Sequence, residues 1–342
     1  MEKILTTSPT IRDVAKHAGV SVATVSRSLN NHPGITDTTR QRVVSAASEL
    51  GYDLSNLRQQ HGRSRLKRIT FLYRRQRESA GGNPFYSPVL HGVEEACRTE
   101  KMGLSYSSVG SDDPLPELIA RQEAEGLICV GYFEPRQLEA VLALNLPAVL
   151  VDHWYPGFTC VNSDNFGGAY LLTEHLIEQG YRRIAFISGP QTHYSIAQRV
   201  QGYRHALLAH GLLPDPALEA ARFPLDEEEG TESAVHRLLQ LEKRPDAIFA
   251  FNDATAFKAM RVCQMQGLRV PEDLAIVGFD DLVGAALSFP PLTTVQVDKE
   301  ALGSRGVDCL MNPTSSDALI TLPVSLVIRE TSTRTQEKRR KF

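Results

Sequence analysis

Ile11-Arg12-Asp13-Val14-Ala15-Lys16-His17-Ala18-Gly19-Val20-Ser21-Val22-Ala23-Thr24-Val25-Ser26-Arg27 is the stretch that decides how this 342-residue chain is read. Thr10, just before it, is a good helix N-cap, and Asp13 three residues later completes a capping box. Ile11, Val14, Ala15 and Ala18 share one helical face. Gly19 supplies the positive φ of a tight turn, and Ala15 is small enough for two short helices to cross closely. Ser21 caps the second helix, whose Val25 and Leu29 point inward, while Val20 and Val25 fill the space between the helices. Residues 30–34 (Asn30, Asn31, His32, Pro33, Gly34) form a loop. Thr36 then caps a third helix, carried by Val43, Val44, Ala47 and Leu50 and closed by Gly51. The spacing predicts a helix-turn-helix with Ser21, Val22, Ala23 and Thr24 exposed at the start of its second helix. In a major groove such an end offers side chains to base edges and N–H groups to phosphates. Arg27, one turn later, reaches guanine or phosphate. The alternative is a small three-helix bundle with no nucleic-acid role.

The charge distribution points the same way. Residues 1–77 hold 14 Lys and Arg against 5 Asp and Glu, and the remainder holds 23 against 35, within a net charge of −3. A basic head on an acidic body is a footprint of nucleic-acid binding, although an ordinary solvated basic face has the same composition. Hydrophobic residues make up 42% and charged residues 23%, which excludes disordered, collagen-like and membrane-embedded chains. No run reaches the roughly 18–20 apolar residues needed to span a bilayer. The N-terminus lacks the apolar core of a signal peptide, so the expected location is the cytoplasm. Cys97, Cys129, Cys160, Cys263 and Cys309 are dispersed and read as reduced and mostly buried.

Residues 53–66 are polar and basic and read as a hinge or linker. Beyond them, strand-like runs at 69–73, 126–130, 148–152, 183–188, 247–251 and 274–278 alternate with helical segments at 89–101, 166–179, 198–210 and 254–266. That alternation predicts βαβ units and parallel sheets. About 270 residues of it exceed one sheet, so two doubly wound α/β lobes with a cleft between them are expected.

The run from Thr10 to Asn30, then Thr39-Arg40-x-Arg42-Val43 and Leu50-Gly51-Tyr52, resembles the head of the lactose-repressor/galactose-repressor (LacI/GalR) family of bacterial transcription regulators. The resemblance continues through Asn83-Pro84-Phe85-Tyr86, Asp152, Asp164, Gly180-Tyr181-x-x-Ile184-Ala185-Phe186 and Arg199-x-x-Gly202-Tyr203. It extends through Asn252-Asp253, Gly278-Phe279-Asp280-Asp281 and Pro290-Pro291-Leu292-Thr293-Thr294-Val295. It implies an N-terminal helix-turn-helix three-helix head plus a periplasmic-binding-protein-like core of two doubly wound α/β lobes. The expected domains are a head at 1–52, a hinge at 53–66, a core at 67–335 and a basic tail at 336–342. Within the core, the N-lobe takes about 67–163 and 297–322, and the C-lobe about 164–296 and 323–335. The resemblance also implies a repressor that binds double-stranded operator DNA as a homodimer, on the nucleoid, under control of a small effector held between the lobes. The family's tetramers carry a further heptad-bearing helix at the C-terminus. This chain has no leucine heptads after 324–331, so a dimer is expected.

Carried over position by position, Val22, Ala23 and Arg27 match base readers. Val22 and Ala23 suit a thymine methyl, not bidentate hydrogen bonds. Thr24 and Ser26 are expected at phosphate, and Thr10, Ser21 and Asn30 complete the DNA-facing set. The hinge departs from the family pattern. Leu54 and Ser55 replace Pro-Asn, Arg58 takes the place of a small residue, and His61 stands where a Leu wedges into the minor groove. Either the register shifts so that Leu57 is the wedge, or the operator is kinked less; a flexible linker is the plain alternative.

Ligands of parallel α/β lobes bind at the carboxyl ends of strands. There the sequence places Asp152, Asn252 with Asp253, and Asp280 with Asp281, with Ser195 and Arg199 where the chain re-enters a helix. The family uses the matching Arg to hold its ligand. Carboxylate, amide and guanidinium groups together suit a polyol, and Phe85, Tyr86 and Trp154 offer flat faces to a sugar ring. Phe223 is the candidate for the aromatic that sugar-binding relatives often place in this loop, in an uncertain register, so a nucleobase or other polar ligand stays open. Asp281 reads as a cap on the following segment, and Asp164 as a cap at the crossover between lobes. No P-loop, dinucleotide fingerprint, H-E-x-x-H or nucleophile elbow occurs, and the ten histidines lack metal-ligand spacing. No enzyme activity, cofactor or metal is expected. A solute-binding module and a two-lobed sugar-modifying enzyme are the competing classes.

Overall fold

The computed structural model describes residues 9–29, 35–50, 52, 66–74, 83–222, 227–313 and 317–333, without the side chains of 26, 29, 37, 227 and 228. The chain divides into two compact units, Met1–Leu66 and Lys67–Phe342.

In the first unit, α1 (Ile11–Ala18), α2 (Val22–Leu29) and α3 (Asp37–Glu49) form the expected bundle. The α1 capping box is present: the Thr10 N–H and hydroxyl both donate to Asp13 Oδ2, at 2.8 and 2.7 Å. Those bonds hold the Asp13 carboxyl below its usual range. Gly19 sits at φ 63 in the left-handed region and ends α1, where a Cβ would be strained. Ser21 Oγ accepts the Thr24 N–H at 3.0 Å and so starts α2. Val14, Ala15, Ala18, Val25, Val43, Ala46 and Ala47 are the buried core, with Ile11, Val20, Leu50 and Tyr52 packed around it.

Two expectations fail in α3. Val44 is 43% exposed and Ala46 is buried instead. Positions 43, 46, 47 and 50 follow the i, i+3, i+4 and i+7 spacing of one face, and 44 lies about 100° away. Thr36 occupies the N-cap, but its hydroxyl pairs with that of Thr39 at 2.9 Å and caps no backbone N–H.

The second unit begins with β1 (Arg68–Arg74), α4 (Tyr86–Glu100), β2 (Gly103–Val109), α5 (Leu115–Arg121), β3 (Gly126–Val130), α6 (Pro135–Ala143), β4 (Ala148–Val151) and β5 (Thr159–Ser163). Next come α7 (Asn165–Glu178), β6 (Ile184–Ser188), α8 (Tyr194–Ala209), β7 (Glu219–Ala221), α9 (Glu227–Leu239), β8 (Ala247–Ala250), α10 (Asp253–Met265) and β9 (Ala275–Val277). The chain finishes with α11 (Val283–Leu287), β10 (Thr294–Gln296), α12 (Lys299–Met311), β11 (Leu319–Leu322) and β12 (Ser325–Val327).

Two parallel sheets result. One runs β11-β5-β4-β3-β1-β2, the other β7-β6-β8-β9, and β10 pairs antiparallel with β12 between the chain's crossings. Every predicted strand run lies in one of the two parallel sheets. β3, β6 and β8 are buried along their whole length, as continuous apolar runs must be when helices cover both faces. In the first sheet α5 and α6 pack on one face through Leu115, Ile119, Leu138 and Val141. In the second, Ala234, Val235, Ala256 and Met260 from α9 and α10 do the same. β2 and β11 escaped the sequence reading because they are edge strands with alternating burial and no apolar run.

The chain crosses between the sheets after β5, before α12 and after β11. On its return, α12 meets α4 at very close range. A Cβ on Gly92 would lie 2.1 Å from the Glu300 carbonyl oxygen, and one on Gly303 would lie 2.1 Å from that of Val89. Only a residue without a side chain permits this approach. A methyl at either site overlaps backbone and forces the helices apart, at about 1–3 kcal/mol.

Candidate functional site

At the start of α2, Ser21, Val22 and Ala23 are exposed, Thr24 is half-buried and Arg27 is exposed. Val22 is 42% exposed, an apolar side chain the bundle leaves in solvent. The Ser21 and Thr24 hydroxyls lie 2.8 Å apart, so both are already engaged in starting the helix. The Thr10 hydroxyl is likewise held by Asp13. The Ser26 side chain, Asn30, Leu57, Arg58 and His61 fall outside the described residues, as do Leu54 and Ser55 of the hinge.

In the second unit the expected effector residues meet. Asp152 follows β4 at φ 59 and binds the Val161 carbonyl through its N–H. Its Oδ2 accepts the Tyr86 hydroxyl at 2.9 Å, and its Oδ1 accepts Ser195 Oγ at 2.5 Å. Asp152 and Tyr86 belong to the first lobe and Ser195 to the second, so the Ser195–Asp152 bond ties the lobes directly. Burial first, then Asp152, pushes the Tyr86 phenol well above its usual pKa.

Arg199, in the second turn of α8, is 4% exposed. Its guanidinium donates to the Phe251 carbonyl at 2.7 Å and to Asn165 Oδ1 at 2.8 Å. It also pairs with Asp280 at 3.1 Å and lies 3.8 Å over the Phe279 ring. Burial raises the Asp280 carboxyl to a pKa of about 6, although Arg199 and Lys299 pull it down. Lys299 Nζ donates to the Asp280 carbonyl at 2.5 Å. Asp253, the first residue of α10, is fully buried and accepts the Thr294 hydroxyl at 2.5 Å and the Leu282 N–H at 2.7 Å. Burial and the neighbouring Asp280 raise it to about 8.

The remaining expected residues are placed differently. Asn252 caps α10, with Oδ1 accepting the Thr255 N–H at 2.9 Å. Phe85 is buried and lies edge-on to Tyr86, 5.1 Å between centroids. Trp154 is 43% exposed, 6.4 Å from the Tyr194 ring. Asp164 caps α7 by accepting the Gly167 N–H, as expected. Asp281 caps nothing; it pairs with Arg329 at 2.8 Å, a partner far along the chain that no local pattern announces. Phe223 lies outside the described residues. A separate groove of about 520 Å³ opens among the crossings, lined by Pro84, Pro88, Val283, Lys299, Pro323 and Val324. None of the expected effector residues lines it.

Sequence reasoning missed three rings beside Asp152. Tyr132, His153 and His193 pack with centroids 5.3, 5.8 and 6.2 Å apart. His193 Nε2 lies 3.7 Å from Asp152 Oδ2. Burial drives the His153 pKa down to about 4, with His193 adding to the effect, and burial also lowers His193. Their positions carried a signal: His153 follows the strand-end Asp152, and His193 precedes the helix start that holds Ser195. Asn165, which braces Arg199, gave none, and Asp253 was marked only as a strand-end carboxylate, not as a neighbour of Asp280.

Residues 10–54 match the family described as bacterial regulatory proteins, lacI family, and residues 173–332 match a periplasmic binding protein-like domain. The ribose operon repressor of Haemophilus influenzae is 32% identical over 336 residues, covering 94% of this chain and 98% of that protein. An HTH-type transcriptional repressor PurR of Aliivibrio fischeri is 34% identical, covering 88% and 90%. Among solved structures, a complex of the transcriptional regulator CelR with cellobiose has a TM-score of 0.71 at 30% identity, covering 94% and 99%. The lac repressor dimer bound to operator and the anti-inducer ONPF has a TM-score of 0.68 at 26% identity, covering 96% and 100%.

Proposed function

The chain belongs to the lacI family of bacterial regulatory proteins, non-enzymatic transcription repressors governed by an effector, and from that premise we propose that its own effector is a polar, hydroxyl-bearing small molecule, a sugar or sugar derivative. The proposed division of labour is a DNA-binding head at 1–52, a hinge at 53–66 and an effector-binding core at 67–335. The observation that carries the effector reading is the Tyr86–Asp152–Ser195 bridge between lobes, beside the buried Arg199–Asp280 pair. A hydroxyl that both donates and accepts can replace each bond of that bridge. A ligand doing so changes how the lobes are held and shifts the population that orders the hinge on DNA. The coupling expected of such a device is about 1–3 kcal/mol. A purine-like effector is the second reading, favoured by the similarity to PurR proteins.

The test is selection of genomic fragments by the purified protein, with and without ribose, cellobiose, hypoxanthine and guanine. One near-palindromic sequence should be enriched, and one class of probe should change its recovery. Enrichment that no probe alters counts against an effector of either class.

The homodimer proposal rests on a separate patch. Val283, Leu287 and Phe289 are 82, 78 and 89% exposed. The first two are one turn apart on α11, and Gln264 binds the Phe289 carbonyl at 3.0 Å, which brings in the 76% exposed Met265. Large apolar side chains exposed on neighbouring segments call for a partner, and the related lac repressor is a dimer in its operator complex. Phe289→Asp is expected to lower the sedimentation coefficient from dimer towards monomer. An unchanged coefficient would place the interface elsewhere.

A further inference from the structure

The three-ring cluster beside Asp152 is built from both lobes. His153 directly follows Asp152 at the end of β4 in the first lobe, and His193 is the N-cap of α8 in the second. Their rings are 5.8 Å apart, and the Tyr132 ring packs on both. His153 is 5% exposed and the His193 side chain 15%. Among the described residues, neither Nδ1 has a hydrogen-bond partner. Two buried polar nitrogens with no partner are a cost that calls for a function.

The chemistry of those nitrogens follows from their surroundings. The Phe133 backbone favours the protonated form of the His153 ring, and with Nδ1 unpartnered that contact is assigned to Nε2. His193 turns Nε2 towards the Asp152 carboxylate. A nitrogen facing a carbonyl or a carboxylate keeps its proton, so in a neutral ring the other nitrogen is a bare lone pair. Burial favours the neutral form of both rings. The cations nearby are committed elsewhere: Arg199 to Asp280, and Arg74, 5.5 Å over the Tyr132 ring, to Glu134 at 2.8 Å. This end of the cleft therefore offers two ring acceptors and, among these groups, no uncommitted cation.

We propose that His153 and His193 form an acceptor clamp of the effector cleft, one Nδ1 from each lobe binding a hydroxyl or amine hydrogen of an uncharged effector. The clamp rests on the effector reading above and deepens it. Parting the lobes separates the two rings and bares both lone pairs, and a ligand with two donors at about the spacing of a vicinal diol or a diamine rejoins them. The clamp thus rewards closure over ligand specifically, and it selects donors at the one end where Asp152 would repel an anion.

The test has two arms. In long-range proton–nitrogen NMR spectra at pH 7, with His153→Gln and His193→Gln as assignment controls, both rings should show the neutral form protonated at Nε2. A charged ring, or one protonated at Nδ1, overturns the clamp without any ligand. In calorimetric titrations with ribose, cellobiose and adenosine, at least one probe should bind, and His153→Leu and His193→Leu should each weaken it about tenfold, the equivalent of one lost hydrogen bond. The Gln variants, which keep an acceptor oxygen, should retain most of the affinity. Binding by none of the probes, or undiminished binding by both Leu variants while Tyr86→Phe and Ser195→Ala weaken it, overturns the clamp. Binding that none of the four positions affects instead sinks the cleft reading itself.

Discussion

Raising salt from 50 to 200 mM is expected to weaken binding of the selected operator by roughly 10³–10⁵-fold. That is the loss for a dimer neutralising about 6–10 phosphates, because each contact releases condensed counterions. The expectation rests on the basic excess of residues 1–77, 14 against 5, and on a second helix whose first turn is open to solvent. Within that turn the roles divide. Ser21 and Thr24 already have their hydroxyls bonded to each other, and Val22 and Ala23 have no polar atoms to offer. Arg27 is the exposed side chain on α2 able to make a bidentate contact with guanine. Arg27→Ala should cost about 1–3 kcal/mol and relax preference at a single base pair of each half-site. A uniform loss on all sequences would move Arg27 to the phosphate backbone. Binding that stays flat from 50 to 200 mM would remove the head from DNA.

Arg199→Leu is the second large effect, and it acts on stability. The guanidinium is buried against a carboxylate, a carbonyl, an amide and an aromatic face. Leucine fills much of the volume and leaves the buried Asp280 without its paired guanidinium, with only Lys299 offsetting its charge. Breaking a buried pair from one side costs about 3–5 kcal/mol, or about 6–20 °C in Tm for a unit of this size. Asp280 has a folded pKa of about 6 against an ordinary 3.8. The native protein therefore binds more protons than the unfolded chain between those values. Its contribution is full below about pH 4, falls as pH rises to about 6, and is constant above. Removing Arg199 removes an influence that lowers this pKa, so the decline runs to higher pH and the deficit widens above pH 6. Urea unfolding of both proteins across that range checks it. A deficit that shrinks with rising pH would show that Asp280 does not carry the loss. Adding Asp280→Asn to the variant should recover part of the lost stability, since the amide carries no charge to bury.

The clamp and the Arg199 pair show where sequence reading stopped. The head was legible almost to the atom: the Thr10–Asp13 box, the Gly19 turn and the Ser21 cap all join residues within three or four positions. The error at Val44 came from assigning a helical face with too few positions to fix its angle. In the core, β3 was read to the residue because a strand buried on both faces must be continuously apolar. The cleft was legible as a set of residues, since Asp152, Ser195, Arg199 and Asp280 stand at strand ends or helix starts where ligands bind. It was not legible as a network. Nothing local says that Asp281 finds Arg329 or that Phe85 is buried.

Amino-acid order alone specified the helix-turn-helix, the alternation of strands and helices, the basic head and the polar residues at strand ends. These depend on propensity, capping and periodicity, which act over one or two turns or one strand. The packed fold was needed to establish that Gly92 and Gly303 carry the contact of α4 with α12. It was needed again to bring Asp253 into a dry site with Asp280, and His153 to His193 across the lobes. Those contacts join residues far apart in the chain. Their existence depends on how two sheets and three crossings stack, and burial, which sets the charge state of these groups, exists only once that stacking is complete.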